Sequence, residues 1–176
     1  TTISYGLNAI KNVGSKALET IIFERKENGP YESIFDLCSR VDQQKVNKRV
    51  IESLVMAGAL DSIEGNRFQK FSAVDDAIKY GQQMQNESNR NQVDMFGSAG
   101  LEDDLIKIPT LKELPEWPEK DALSKEKEVL GFYVSGHPLL EHSEELEEFT
   151  SVTFEDQQNL SKKDTVVVGG MITRIV

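Results

Sequence analysis

The sequence has little of what metal and disulfide chemistry requires. Its 176 residues include one cysteine, Cys38, and two histidines, His137 and His142. One cysteine cannot form an internal disulfide, and these three side chains cannot supply the usual four ligands of a structural zinc site. No apolar run approaches the roughly 18 residues of a membrane span, and no basic-then-apolar leader opens the chain. We therefore expect neither structural zinc, nor a membrane span, nor an export signal.

The composition is that of a globular protein with one small hydrophobic core and additional segments outside it. Hydrophobic residues make up 38% of the sequence and charged residues 28%, as in ordinary globular proteins. The final residues, 165–176, are rich in β-branched side chains and stop within a strand-like pattern. We expect the sequence to be part of a longer chain, cut within its last predicted strand.

The net charge of -10 is unevenly distributed. Residues 1–81 carry 11 basic and 11 acidic side chains, whereas residues 82–176 carry 9 and 19. Residues 40–49 form a cationic stripe whose basic members are Arg40, Lys45, Lys48 and Arg49, with Asp42 as its one acid. Such a stripe can attract phosphate in spite of the acidic total, although for so short a run a solvated helix face is the commoner explanation.

Apolar residues recur at helical spacing through residues 1–85, which predicts four or five helices with short turns. Gly14-Ser15 divides the first two helices, and Asn28-Gly29-Pro30 ends the second. Ser33 and Asn47 are suited to cap the next two helices. Residues 67–85 carry the apolar face of a longer helix.

The rest of the chain divides into three parts. Residues 86–105 are polar and predict a flexible linker. Residues 106–164 predict a helical and irregular connector, in which three prolines prevent regular structure around Trp117. Residues 165–176 predict a strand.

Residues 10–18 resemble a helix-hairpin-helix motif, in which a short turn between two helices meets a phosphate. Gly14 allows close approach of the backbone, Ser15 begins a helix whose N–H groups are unpaired, and Lys16 adds charge. Asn12 stands where the motif has its first glycine, and asparagine is the other residue that readily adopts positive φ. Contacts of this kind are independent of base sequence and weaken with salt.

A second passage, residues 54–60, keeps one glycine, Gly58, and has no lysine beside it. It is either a second phosphate site or a degenerate hairpin that packs against the first. The predicted DNA-binding residues are therefore Lys11, Asn12, Val13, Gly14, Ser15, Lys16, Lys45, Lys48, Arg49 and Gly58.

Several segments together resemble the alpha subunit of bacterial DNA polymerase III, in the order of that family and across nearly the whole sequence. They are residues 10–14, 27–31, 45–50, 57–61 and 130–139. The resemblance implies a mainly α fold: a tandem helix-hairpin-helix bundle (1–85), the linker (86–105), the connector (106–164) and the first strand of a truncated OB-fold (165–176).

The resemblance also implies what this segment does not contain. The parent chain would be a DNA-directed DNA polymerase, a nucleotidyltransferase that uses Mg²⁺, but its metal-binding aspartates lie upstream. Asp75-Asp76 and Glu102-Asp103-Asp104 are adjacent carboxylates without the separated, strand-borne placement of a two-metal site. We therefore expect no catalytic residues, no metal and no cofactor here, and an inactive segment.

Residues 92–97 of the linker resemble the peptide by which bacterial polymerases hold the beta sliding clamp. Met95 and Phe96 would enter an apolar pocket, Gln92 would hydrogen-bond at its rim, and Asp94 lies between them. The alternative is that Met95 and Phe96 fold back onto their own domain. The predicted clamp-binding residues are Gln92, Asp94, Met95 and Phe96.

The predicted function is to support processive DNA synthesis in the bacterial cytoplasm, at the replication fork. The expected partners are the backbone of duplex DNA, the beta sliding clamp and other subunits of the polymerase III holoenzyme, with no membrane. The alternative is a scaffold that links polymerase domains without touching DNA. An independent helix-hairpin-helix repair enzyme is disfavoured, because no catalytic constellation is visible.

Overall fold

A computed structural model describes residues 6–93, 107–152 and 165–172. Within these ranges the chain forms six α-helices: α1 (Ser15–Asn28), α2 (Ile34–Arg40), α3 (Lys48–Met56), α4 (Arg67–Val93), α5 (Glu119–Leu130) and α6 (Ser143–Phe149). Two short 3-10 helices cover Leu7–Ala9 and Pro138–His142. The predicted mainly α fold is confirmed, whereas residues 165–172 contain no strand, so the first strand of an OB-fold is not confirmed.

The two predicted caps are confirmed. Ser33 Oγ accepts a hydrogen bond from the Asp36 N–H at 3.1 Å, and Asn47 Oδ1 accepts one from the Val50 N–H at 3.2 Å. Each bond satisfies an N–H that the first turn of a helix would otherwise leave unpaired. Gly29 ends α1 as predicted, with φ and ψ of 86° and 179°, which differ from the left-handed helical conformation expected of a C-cap glycine.

One apolar core joins the helices of the amino-terminal half. Its fully buried members include Ile34 and Leu37 of α2, Ile51 of α3 and Ala77 of α4. Cys38 is fully buried among them, and burial raises the pKa of its thiol to about 12. It is therefore a small core residue and not a reactive thiol.

Two helices differ in length from the prediction. The first predicted helix, which was to end before Gly14 and to carry the apolar residues Leu7, Ile10 and Val13, is only the 3-10 turn Leu7–Ala9, because Ile10 is extended and Asn12 has positive φ. Ile10 and Val13 are nevertheless buried, so the spacing predicted their burial correctly but not the helix. Helix α4 continues past Gln85 to Val93, since the polar residues after Gly81 include no proline or glycine to stop it.

The described residues cluster into two compact units, Thr1–Phe132 and Tyr133–Val176. The first unit includes helix α5 and residues 107–118, a segment without regular secondary structure that we call the strap. In the second unit the His137 Nδ1 accepts a hydrogen bond from the Leu139 N–H at 3.2 Å and so caps the 3-10 helix that begins at Pro138. The four-part division predicted from sequence therefore does not coincide with these two units, because the strap and α5 pack with the hairpins.

Candidate nucleic-acid interface

The first hairpin presents an exposed turn ahead of α1. Asn12 adopts a φ of 67°, the positive value expected of a residue in the place of the motif's first glycine. Lys11, Asn12, Gly14, Ser15 and Lys16 are exposed. Val13 is only 6% exposed, so its side chain belongs to the core and only its backbone can face a ligand.

The amino terminus of α1 is uncapped. Gly14 is the N-cap residue, and its carbonyl accepts from the Ala17 and Leu18 N–H groups at 3.1 and 3.2 Å, but no side chain caps the helix. The N–H groups of Ser15 and Lys16 have no acceptor within the described part of the chain. A β-carbon placed on Gly14 would meet nothing within 4 Å. This helix end therefore offers free N–H donors and open space to an anion.

The cationic stripe separates into paired and unpaired side chains. Lys45 Nζ lies 2.9 Å from Asp42, and Lys48 Nζ lies 2.7 Å from Asp75, whose hydrogen bond raises the pKa of Lys48. Arg40 donates to the carbonyls of Pro30 and Gly29, so it holds the end of α1 to α2.

Three predicted cations remain exposed, and no ion pair engages them within the described residues. They are Lys11, Lys16 and Arg49. Arg49 lies one helical turn before Ser53, and Ser53 contacts the turn of the first hairpin through Asn12. Arg49 therefore lies on the face of α3 beside the first hairpin, whereas the rest of the stripe is engaged in ion pairs.

The turn of the second hairpin, residues 57–61, is closed by its own contacts. Gly58 has a φ of 74°, and a β-carbon there would collide with the guanidinium of Arg67. The N–H groups of Ala57, Gly58 and Ala59 all bond to carbonyls of α3. The predicted phosphate contact at Gly58 therefore finds no free donor at residues 57–59, and the positive φ of this residue favours glycine there.

The helix that follows the second hairpin already holds an anion. The carboxylate of Glu116 in the strap accepts the Arg67 N–H at 2.9 Å and the Phe68 N–H at 3.1 Å, at the start of α4. Arg67 itself bonds Asp61 at 2.6 Å and lies 3.6 Å from Glu126, which is only 1% exposed on α5. The Glu116 carboxylate thus accepts from free N–H groups at the start of α4, whereas the corresponding N–H groups at the start of α1 have no such acceptor among the described residues.

Sequence reasoning missed four residues that build this region. Ser53, Arg67 and Glu116 are described above, and the fourth is Lys70, which is 1% exposed. The Lys70 ammonium donates to the carbonyls of Leu60 and Ile63 at 2.8 and 3.2 Å and so fixes the loop after the second hairpin. Burial lowers the pKa of Lys70. The one sequence signal for Lys70 is its position among the apolar residues of α4, where a lysine must find acceptors.

The predicted clamp peptide lies mostly outside the described residues. Gln92 falls in the last turn of α4, and Asp94, Met95 and Phe96 lie beyond the described range. Among residues 6–93, 107–152 and 165–172, no group of three or more His, Cys, Asp or Glu side chains could hold a metal ion. In the same ranges, no helix is long and apolar enough to cross a membrane.

The amino-terminal geometry is that of paired helical hairpins. Residues 1–70 match the family described as helix-hairpin-helix motif. Over 170 residues the chain is 38% identical to the DNA polymerase III subunit alpha of Vibrio cholerae, a match that covers 97% of this chain and 15% of that protein. It is 36% identical over 165 residues to the subunit of the same name from Borreliella burgdorferi, covering 94% of this chain and 14% of the relative.

The chain therefore matches, over nearly its whole length, one segment of the DNA polymerase III alpha subunit, as its motifs predicted. It spans about 15% of the length of these relatives. The helix-hairpin-helix match over residues 1–70 lies within the region that is similar to the alpha subunits.

Proposed function

We propose that this segment binds the backbone of duplex DNA through its first hairpin and so steadies DNA for a replicative polymerase in the bacterial cytoplasm. The observation that carries the proposal is the uncapped amino terminus of α1, with the exposed Lys11 and Lys16 beside it. A phosphate placed there would accept from the Ser15 and Lys16 N–H groups and would be attracted by both ammonium groups. These contacts involve no base edge, so we expect no sequence preference.

A charge-reversal experiment tests the DNA contact. The variant Lys11→Glu/Lys16→Glu should lose most of its affinity for a mixed-sequence duplex, measured by fluorescence anisotropy at low and moderate salt. Each lost phosphate contact should also reduce the slope of log affinity against log salt by about 0.9. The matched control is Lys26→Glu/Lys79→Glu, which makes the same change in net charge; Lys26 lies ten residues along α1 from Lys16, about 15 Å away.

Equal losses in the two variants would mean that net charge and not the first hairpin governs binding. Absence of binding by the unaltered chain at low salt would favour the scaffold function. The occupied amino terminus of α4 is the observation that favours this second candidate, because there the chain supplies its own anion.

We propose further that residues 92–97 hold a beta sliding clamp. Support comes from the order of polar and large apolar residues in the sequence, together with the similarity to polymerase alpha subunits. DNA contact and clamp tethering together would keep a polymerase at the primer end, because the tether raises its local concentration there. Other holoenzyme subunits would complete the assembly, and nucleotidyl transfer with Mg²⁺ would belong to the parent chain and not to this segment.

The clamp proposal is tested by truncating its apolar anchors. Met95→Ala/Phe96→Ala should abolish binding to a purified clamp in a titration by surface plasmon resonance, at a cost of about 2 kcal/mol or more for each anchor. Leu101→Ala, another apolar residue of the predicted linker, is the matched control and should bind as the unaltered chain does. Undiminished affinity of the double variant would contradict the proposal.

A further inference from the structure

The side chain of Asn12 is bonded to its own protein. Its Nδ2 donates to Ser53 Oγ at 3.1 Å, across 41 residues of sequence. Ser53 is fully buried in α3. The amide of Asn12 thus fixes the exposed turn to a rigid helix and is engaged before any ligand arrives.

The neighbouring residue is held from another direction. The Lys11 N–H donates to the carbonyl of Val129 at 2.8 Å, and Val129 is a buried residue near the end of α5. Two consecutive residues of the turn are therefore tied to two different helices. The uncapped first turn of α1 begins only three residues after Asn12, so the placement of Asn12 determines where the Ser15 and Lys16 N–H groups point.

We infer that Ser53 is a positioning residue for the DNA-binding hairpin: it holds Asn12 in the left-handed conformation, and Asn12 acts through that conformation and not by touching DNA. The inference rests on the proposed phosphate contact of the first hairpin. A left-handed backbone is unfavourable for a residue with a side chain, and one hydrogen bond is of the order needed to offset that strain. Glycine at position 12 would adopt the same φ without strain and would need no such bond.

The test is a double-mutant cycle in the whole 176-residue chain. The unaltered chain, Ser53→Ala, Asn12→Gly and the double variant are titrated with a mixed-sequence duplex at low salt, and the Tm of each is recorded. Ser53→Ala should bind about fivefold more weakly, the equivalent of one ordinary hydrogen bond. Asn12→Gly should bind within about twofold of the unaltered chain, and adding Ser53→Ala to it should cost nothing further.

A merely structural role for Ser53 predicts a different pattern, in which Ser53→Ala loses the same affinity whether asparagine or glycine occupies position 12. That result would overturn the inference while leaving the proposed function in place. Ser39→Ala removes a hydroxyl that donates to the Asp36 carbonyl within α2, away from the first hairpin in sequence, and it should leave affinity unchanged. If the unaltered chain does not bind DNA, the proposed function and this inference both fall.

A second variant keeps the test decisive if Ser53→Ala folds poorly. Asn12→Leu changes an exposed position, removes the amide and keeps a side chain that disfavours positive φ. It should lose affinity as Ser53→Ala does, with a folded far-UV spectrum. Binding equal to that of Asn12→Gly would overturn the inference, because the conformation of residue 12 would then not matter.

Discussion

Gly14 and Asn47 occupy the same position relative to their helices and differ in what they leave open. Their backbones are alike, with φ and ψ of -83° and 157° at Gly14 and -80° and 172° at Asn47. Asn47 caps α3 with its side chain, whereas Gly14 has none to offer. The empty N-cap of α1 is thus a property of the residue type and not of the backbone.

The variant Gly14→Ser should therefore separate stability from binding. A serine hydroxyl at this N-cap would accept one of the free N–H groups and raise the free energy of unfolding by a few tenths of a kcal/mol. The same bond would compete with phosphate and weaken DNA binding. Urea denaturation and duplex titration on one sample measure both effects.

Gly58→Ala is the matched control for the other hairpin. Positive φ and the collision with Arg67 should lower the free energy of unfolding by about 2 kcal/mol. Its DNA affinity at a temperature where it remains folded should be unchanged. A stabilised Gly58→Ala, or a Gly14→Ser that binds DNA more tightly, would contradict the assignment of the open site to the first hairpin.

At the level of single residues, local features could be predicted from the sequence, whereas pairs of residues far apart in the chain could not. The positive φ of Asn12 and the caps at Ser33 and Asn47 depend on residues within a few positions, so residue type was sufficient. The Lys48–Asp75 pair spans 27 residues, and no local pattern indicates which cations such pairs neutralise. The stripe therefore looked like one site, although Lys45 and Lys48 form ion pairs and Arg49 forms none with the residues that the structure describes.

Among the elements, the strap was predicted as irregular with a packing role for Trp117, but the sequence did not indicate which helices it packs against. Trp117 lies against Phe68 and Phe71 of α4, with ring centroids 5.8 and 5.4 Å away, and Lys125 Nζ of α5 lies 4.8 Å from its ring. Three prolines correctly excluded a helix, but the absence of regular structure does not indicate what a segment covers. The strap joins α4 to α5 through this aromatic cluster.

Trp117→Ala should consequently destabilise the first unit. The half-buried indole loses its contacts with two aromatic rings and an ammonium, which should lower the free energy of unfolding by about 2 kcal/mol. Urea denaturation followed by far-UV circular dichroism measures the change. Phe23→Ala, at a position 65% exposed on α1, is the matched control and should have little effect. Equal effects of the two would show that the strap does not stabilise the bundle.

On the scale of the whole molecule, the hairpins depend on residues far along the chain. Val129, Glu116 and Glu126 all contact them from beyond residue 106, through Lys11 and Arg67. The boundary predicted at residue 85 followed the change in composition, and composition does not indicate which later segment returns to the bundle. The compact unit that the structure defines ends at Phe132.

Two truncations test that boundary. A chain of residues 1–132 should fold and keep its affinity for duplex DNA, since it contains every contact named between the hairpins, the strap and α5. A chain of residues 1–93 should have a lower Tm and weaker DNA binding. The Lys11 N–H would lose the Val129 carbonyl that accepts its hydrogen bond, and the start of α4 would lose the Glu116 carboxylate. Thermal unfolding and anisotropy titrations compare the two, and equal behaviour would show that strap and α5 are dispensable.

If residues 92–97 hold a clamp as proposed, helix α4 would also separate that peptide from the second hairpin. Its 27 residues span about 40 Å at 1.5 Å per residue, from the anion-bound first turn beside the second hairpin to Gln92 at the start of the proposed clamp peptide. Each residue of an α-helix turns the chain by about 100° around the helix axis. Inserting one residue before Gln92 would therefore change the side of the helix from which the following residues leave. Where a clamp is held would thus depend on the phase of a helix as much as on the peptide sequence.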